Sequence, residues 1–156
     1  MPTGVSIIDF EPAHRPAFEA LNYELDYEWI TRYFYIEGPD RQPVDNPQQY
    51  ILERGGHILM AVCEGEVVGT CALVKEHDGV YELARLAVAP AAQRRGIGWA
   101  LGQGMLGKAR QLGAHRVEVL SISSLTPALK LYDKLGFRSA SLIPEQPGDV
   151  RMVLDL

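Results

Sequence analysis

A glycine turn that follows an apolar segment constrains the fold of this chain most. The apolar residues 83–90 lead into residues 93–98, which contain two glycines, and a helical pattern follows. The first N–H groups of a helix lack partners inside it and carry partial positive charge. Glycine also lets the backbone come close to a ligand. Such a strand–turn–helix unit can hold a pyrophosphate, although an ordinary turn with solvated arginines explains the same residues.

Two other phosphate-binding motifs fail on inspection. A dinucleotide fingerprint that starts at Gly96 needs a glycine at position 101, where the chain has leucine. A Walker A match at residues 102–108 needs a following Ser or Thr, and Ala109 stands there instead. That match also lies inside an amphipathic helical pattern and not between a strand and a helix, so both motifs are excluded.

Length and composition predict one globular domain over residues 1–156. The hydrophobic fraction is 47%, which is typical of a globular protein with a core. No apolar run reaches the roughly 20 residues that cross a bilayer. The first residues show no basic segment before an apolar stretch. We therefore expect a cytoplasmic location and no membrane partner.

Charge is distributed unevenly along the chain. Residues 1–80 hold 14 acidic and 5 basic side chains, and residues 81–156 hold 6 acidic and 10 basic ones, for a net charge of −5. The basic half contains the glycine turn, as an anionic ligand favours. The acidic half suits a cationic ligand, and a solvated acidic surface explains it equally. Since no basic stripe is present, we expect no nucleic-acid partner.

The order of predicted elements indicates an α/β domain. Strands are expected at 5–10, 57–63, 66–76, 80–88, 115–120, 138–145 and 150–154, from apolar alternation and the turns between them. Helices are expected at 12–35, with a possible break, in a short segment from 47 to the glycines at 55–56, at 97–112 and at 127–135. Residues 37–43 are predicted as a loop by their glycine and prolines.

A second motif, LYDKLGF at residues 131–137, follows further along the chain. The order of the two motifs resembles the GCN5-related N-acetyltransferases, most specifically over residues 57–138. The resemblance implies a single domain with a mixed, mostly antiparallel sheet, splayed at a bulge in a central strand and flanked by about four helices. It also implies acetyl-CoA as the acyl-donor cosubstrate, no metal, and an amine as acceptor.

The resemblance carries over a set of cofactor-binding residues. In the family, the glycine turn binds the CoA pyrophosphate through backbone amides, and the preceding strand binds the pantetheine arm and polarises the thioester carbonyl. Many members have an asparagine where this chain has Leu125, so that contact would come from backbone or from Ser124. The implied residues are Leu86, Ala87, Val88, Gln93, Arg94, Arg95, Gly96, Ile97, Gly98, Trp99, Ser124 and Lys134.

The resemblance also implies two catalytic residues. Tyr132 matches a tyrosine that protonates the departing thiolate, and a half-buried structural tyrosine is the alternative. Glu82 lies on the strand where family members often carry the base, and a surface ion pair is the alternative. Strand alternation places Glu82 on one face with Ala84 and Leu86, and Arg85 on the opposite face.

The acceptor is expected between the N-terminal helices and the cofactor. Aromatic faces beside carboxylates suit an organic cation, so we expect a small cationic amine, although an amphipathic helix explains the same residues. Residues 37–45 are a candidate lid. A non-catalytic acyl-CoA sensor or docking module is the alternative to an enzyme, and a homodimer is possible. The candidate acceptor residues are Tyr23, Glu24, Asp26, Tyr27, Glu28, Trp29, Tyr33, Phe34, Tyr35 and Glu37.

Overall fold

The computed structural model describes residues 4–31, 42–122, 126–142 and 149–156. These ranges contain strands and α-helices in the predicted α/β order. The strands are β1 Val5–Asp9, β2 His57–Cys63, β3 Glu66–His77, β4 Val80–Val88, β5 Arg116–Ile122, β6 Arg138–Leu142 and β7 Asp149–Asp155. The α-helices are α1 Arg15–Thr31, α2 Gln42–Asp45, α3 Ile97–Gln111 and α4 Thr126–Leu135.

The strands form one sheet in the order β1-β2-β3-β4-β5-β7-β6. Neighbouring strands are antiparallel except β4 and β5, which are parallel. That parallel pair is short, because only Val80–Glu82 of β4 is in register with β5. Beyond Glu82 the two strands no longer pair. The predicted mixed, mostly antiparallel sheet with a splay at its centre is confirmed.

Tight turns join the three strands that lead to this splay. Glu64 and Gly65 connect β2 to β3 with φ angles of +51° and +82°. Two left-handed residues match the right-handed twist of the flanking strands, so the sequence favours a two-residue hairpin here. A second turn at Asp78 and Gly79 leads from β3 into β4. The antiparallel β2–β3–β4 meander therefore follows from local sequence.

Two apolar clusters cover the two faces of the sheet. The larger cluster contains Leu101 and Met105 of α3 together with Cys71 of β3. The smaller contains Phe18 of α1 together with Ala72, the next residue of β3. Since successive strand residues point to opposite faces, α3 and α4 cover one face and α1 covers the other. Side chains of β4 therefore meet different surroundings according to the face on which they lie.

The N-terminal elements differ in part from the prediction. A short 3-10 turn at Pro12–His14 precedes α1, and residues 32–41 lie outside the described residues. The predicted loop was wrong at its end, because Gln42–Asp45 is helical. The segment Gln48–Leu52 is a π-helical turn. No helix in the described ranges is long and apolar enough to cross a membrane.

Candidate active site

The turn that joins β4 to α3 has a backbone suited to an anion. Arg94 has φ +64° and Gly96 has φ +78°, so two left-handed residues lie within three positions. Gly96 is the N-cap of α3, and no described side chain caps the helix. The first N–H groups of α3 thus lack an intrahelical partner at the positive end of the helix dipole. Arg94 and Arg95 are exposed beside them. This geometry fits a pyrophosphate.

The predicted cofactor-binding residues around this turn contribute in different ways. The Gln93 side chain donates its Nε2 hydrogen bond to the Val88 carbonyl at 3.0 Å, so it braces the turn against the end of β4. Ile97 is buried in the core and offers a ligand only its backbone. Trp99 is 41% exposed in the first turn of α3. Lys134 is exposed in the last turn of α4, and Ser124 lies outside the described residues.

Two glycines of α3 allow α4 to pack closely. A Cβ atom added at Gly98 would meet a Leu131 methyl group at 3.2 Å, and one at Gly102 would meet a Leu135 methyl group at 2.6 Å. The two glycines are four residues apart on α3, and the two leucines are four residues apart on α4. The glycines therefore lie on one face of α3, and the leucines on the facing side of α4 pack against them. Sequence reasoning missed Gly102, although this matched spacing was the available signal. The packing fixes the position of α4 and of Tyr132 upon it.

Tyr132 is buried in the larger apolar cluster and is 9% exposed. Its ring packs edge-on against Phe137 at 6.1 Å between centroids. Burial raises the pKa of the Tyr132 phenol, and the nearby Cys71 thiol and Glu82 carboxyl raise it further. The phenol is therefore held in its protonated form, in which it can donate a proton.

The second half of β4 has one open edge. Ala87 and Val88 pair with Thr70 and Gly69 of β3. On the other side, the pairing with β5 ends at Glu82. The edge of residues 86–88 that faces β5 is therefore unpaired in the sheet, and apart from the Val88 carbonyl, which accepts the hydrogen bond from Gln93, its backbone groups are open to a ligand in the splay.

Glu82 lies at the point where β4 and β5 diverge. Its register partner on β3 is Val74, which packs against the cluster under α1, so Glu82 lies on the α1 face. Burial raises the pKa of Glu82 to about 8, with further contributions from a hydrogen bond with the Glu76 carboxyl and from the charge of Glu118. Arg85 opposes this shift. A carboxyl group with this pKa can exchange protons near neutral pH.

A bulge in β4 corrects the predicted alternation. Ala84 and Ala87 are in register with Ala72 and Thr70, so Arg85 and Leu86 together stand opposite a single β3 residue. Leu86 packs against the larger cluster on the α3 face, whereas Arg85 reaches α1. The prediction that Leu86 shares a face with Glu82 and that Arg85 opposes it was wrong, because the bulge reverses the alternation.

The candidate acceptor pocket also differs from its prediction. The Asp26 carboxylate pairs with the Arg85 guanidinium at 2.5 Å, and the Tyr23 hydroxyl donates a hydrogen bond to Asp45 at 2.8 Å. Both groups therefore have partners within the protein. Tyr27 is 70% exposed on α1. The other predicted aromatic residues, Trp29, Tyr33, Phe34 and Tyr35, and the carboxylates Glu28 and Glu37 lie outside the described side chains.

The two candidate catalytic groups approach β4 from opposite faces of the sheet. Glu82 faces α1, whereas Tyr132 comes from α4 on the other face, and the two are close enough for the Glu82 charge to raise the pKa of Tyr132. A titratable carboxyl group and a protonated phenol therefore lie on opposite sides of β4. Within the described residues, no group of His, Cys, Asp and Glu side chains is arranged to hold a metal ion.

Comparison with known proteins identifies relatives over most of the chain. Residues 24–137 match the model of the Acetyltransferase (GNAT) family. The uncharacterized N-acetyltransferase YvbK of Bacillus subtilis is 34% identical over 103 residues, which is 66% of this chain and 63% of the relative. The N-acetylaspartate synthetase of Xenopus tropicalis is 34% identical over 115 residues, which is 71% of this chain and 42% of the relative. The matches thus span less than two thirds of these relatives.

A solved structure matches the whole architecture. The crystal structure of a Bacillus subtilis acetyltransferase in complex with CoA has a TM-score of 0.73 and 25% sequence identity. The match covers 97% of this chain and 99% of the other. The neighbour thus shares the fold and was crystallised with CoA.

Proposed function

The chain belongs to the GNAT family of acetyltransferases, and from this premise we propose that it moves an acetyl group from acetyl-CoA directly to a primary amine in a ternary complex. We assign the activity to one domain over residues 1–156. The observation that carries the proposal is the placement of Glu82 and Tyr132 on opposite faces of β4. A base on the acceptor side matches the proton that the ammonium must lose before attack, and an acid on the donor side matches the proton that the departing thiolate gains.

The donor site is assigned to the glycine turn and to the open edge of β4. The free N–H groups that follow Gly96, together with Arg94 and Arg95, would hold the pyrophosphate. The backbone of residues 86–88 would bind the pantetheine arm and polarise the carbonyl. When bound, acetyl-CoA supplies an activated acyl group with a thiolate leaving group. Roles for Trp99, Ser124 and Lys134 stay predictions.

Glu82 and Tyr132 are assigned complementary proton transfers. An ammonium has no lone pair, so Glu82 accepts a proton from the amine through a water molecule. The neutral amine nitrogen then forms a bond to the acyl carbon as the carbon–sulfur bond breaks, and the second proton that this nitrogen loses on becoming an amide passes to solvent. Tyr132 gives its proton to the departing thiolate, and exchange with solvent restores both side chains. The pKa of about 8 for Glu82 suits this role near neutral pH.

The surroundings of Glu82 favour a small cationic acceptor. Among the described residues, Arg85 pairs with Asp26, and Arg151 pairs with Glu118 on the neighbouring strand. The Glu76 carboxylate forms a hydrogen bond with Glu82 and adds negative charge beside the splay. The name of the Xenopus tropicalis relative, N-acetylaspartate synthetase, indicates that that protein makes N-acetylaspartate. Aspartate carries two carboxylate groups that this negative charge would repel, so we propose a cation here.

The test is CoA release with acetyl-CoA and an amine panel, followed by mass spectrometry against a blank without acceptor. The panel contains an aliphatic diamine, a lysine peptide and aspartate. We expect turnover with a cationic amine and little with aspartate. Preference for aspartate would contradict the proposed acceptor class but leave the acetyltransferase intact. Acetyl-CoA binding with no turnover by any amine would favour the sensor or docking module.

The pH dependence of the rate tests the assignment of Glu82. We expect kcat/KM to rise with pH to a plateau above about 8 in the parent enzyme, and Glu82→Gln to remove that rise. An unchanged profile would exclude Glu82 as the base. The cytoplasmic location, the possible homodimer and the absence of metal and nucleic-acid partners stay predictions.

A further inference from the structure

The bulge of β4 contains a residue in an unusual backbone conformation. Arg85 has φ +56°, in the left-handed region. The other non-glycine residues with positive φ in the described part of the chain are Glu64 and Arg94, and both of these lie in turns. Arg85 lies inside a strand. A non-glycine residue keeps this conformation only where its surroundings enforce it, so the neighbours of Arg85 must hold it.

The backbone pairing of the sheet does not hold it. Arg85 and Leu86 have no register partner on β3, where the ladder passes from Ala84 to Ala87. They have none on β5 either, because that ladder ends at Glu82. The side chain of Arg85 must therefore supply much of the restraint.

That restraint comes from α1. The guanidinium of Arg85 lies 2.5 Å from the carboxylate of Asp26, and their side chains are only 10% and 2% exposed. The two residues are 59 positions apart in the chain. A buried carboxylate beside a guanidinium fixes its geometry through charge-assisted hydrogen bonds. The pair therefore ties helix α1 to the bulge.

We propose that the Asp26–Arg85 ion pair positions reacting groups for acyl transfer. The pair holds the β4 bulge in one conformation and so fixes the position of Glu82 relative to the open edge at residues 86–88. This inference rests on the proposed function. The bulge lies between the two parts of β4 that the reaction uses. A shift of the bulge would move Glu82 away from the carbonyl-binding edge, and small misplacements of reacting groups lower rates strongly.

The pair also sets the charge that Glu82 experiences. Glu76 of β3 and Glu118 of β5 disfavour its ionised form, and Arg85 of β4 favours it. Arg151 of β7 neutralises Glu118, and Tyr132 of α4 approaches from the other face. Asp26 of α1 neutralises part of the Arg85 charge. Removing Asp26 and removing Arg85 should therefore shift the titration of Glu82 in opposite directions, whereas loss of a purely structural contact would not.

The test follows Glu82 directly by carboxyl carbon NMR, with its signal assigned by comparison with Glu82→Gln, and needs no turnover. Asp26→Asn should lower the Glu82 midpoint by about 0.5–1 pH unit, and Arg85→Gln should raise it by a similar amount. Arg85→Lys keeps the positive charge but loses the planar guanidinium group and its fixed hydrogen-bond geometry. In that variant we expect a nearly unchanged midpoint and a kcat lower by about 10-fold or more.

The matched control is Arg138→Gln on β6, three strands from β4, which breaks an ion pair with Asp155 of β7. It should change neither the midpoint nor kcat. Shifts of the same sign in Asp26→Asn and Arg85→Gln, or none in folded proteins, would overturn the proposal. If Arg85→Gln does not fold, an unchanged kcat in Arg85→Lys would overturn it. A rate profile unaffected by Glu82→Gln would instead refute the proposed base, so the two failures are distinguishable.

Discussion

The proposed donor side and the proposed acceptor side of β4 are built by different means. On the donor side, a contiguous turn at residues 93–98 presents backbone N–H groups. Two glycines of α3 that lie four residues apart let α4 pack closely against this helix. On the acceptor side, an ion pair joins residues 59 positions apart, and three glutamates from neighbouring strands meet at the splay. The donor side depends on backbone conformation and close packing, and the acceptor side depends on buried charge. Changes on the two sides should therefore affect different measured quantities.

The largest effect is expected where the two sides meet, at Tyr132. Tyr132→Phe removes the proposed acid but keeps the ring that packs against Phe137. Loss of a general acid lowers kcat by about 100-fold or more. Calorimetry should show nearly unchanged acetyl-CoA affinity, because the turn is untouched. Unchanged turnover would remove Tyr132 from the mechanism.

This contrast also explains which features could be predicted from the sequence. The strands, the hairpin at Glu64 and Gly65 and the glycine turn are local in the chain, and the structure confirms these elements. Glu82 was correctly placed on the strand, but its face relative to Arg85 and Leu86 was not, because a bulge inserts one residue without a local signal. The Asp26–Arg85 pair could not be predicted, since nothing in either local sequence identifies a partner 59 positions away.

The next largest effect tests the donor turn. Gly96 has φ +78°, and an added Cβ disfavours this conformation. We expect Gly96→Ala to raise the KM for acetyl-CoA by about 10-fold, equivalent to about 1.4 kcal/mol of binding free energy, with a smaller change in kcat. Steady-state kinetics at saturating acceptor measures both constants.

Gly65→Ala provides the matched control for this change. Gly65 has φ +82° in the β2–β3 hairpin, and an added Cβ would meet no atom within 4 Å. It should therefore lower the melting temperature through the same backbone strain without changing the KM for acetyl-CoA. An equal rise of KM in both variants would mean that backbone strain alone, and not the phosphate turn, causes the effect.

A smaller effect is expected from the packing of α3 against α4. In Gly102→Ala, the new methyl group would meet a Leu135 methyl group at 2.6 Å, and because Leu135 is buried in the core, we expect its displacement to disturb α4 and Tyr132. We expect kcat to fall several-fold with little change in KM for acetyl-CoA.

Gly107→Ala, on the same helix, provides the control, because a Cβ atom added at Gly107 would meet no atom within 4 Å. This change should raise the free energy of unfolding by up to about 1 kcal/mol, since alanine favours the helix more than glycine does. Equal kcat values in Gly102→Ala and Gly107→Ala would show that the packing of α3 against α4 does not position Tyr132 for catalysis.

The smallest effect tests the buried charge of the acceptor side through stability. The pKa of Glu82 is raised from 4.5 to about 8 in the folded protein. Its contribution to stability is therefore fully present below about pH 4.5 and is lost as the pH rises through 8. Glu82→Gln does not titrate at this position. Between pH 5 and pH 9, its melting temperature relative to that of the parent should therefore rise by a few °C, which corresponds to a relative increase in the free energy of unfolding on the order of 1–2 kcal/mol. Glu53→Gln removes an exposed carboxylate and controls for net charge. A constant difference in melting temperature between Glu82→Gln and the parent across this range would show that ionisation of Glu82 does not destabilise the folded protein. The acceptor side would then lack the buried charge that distinguishes it from the donor side.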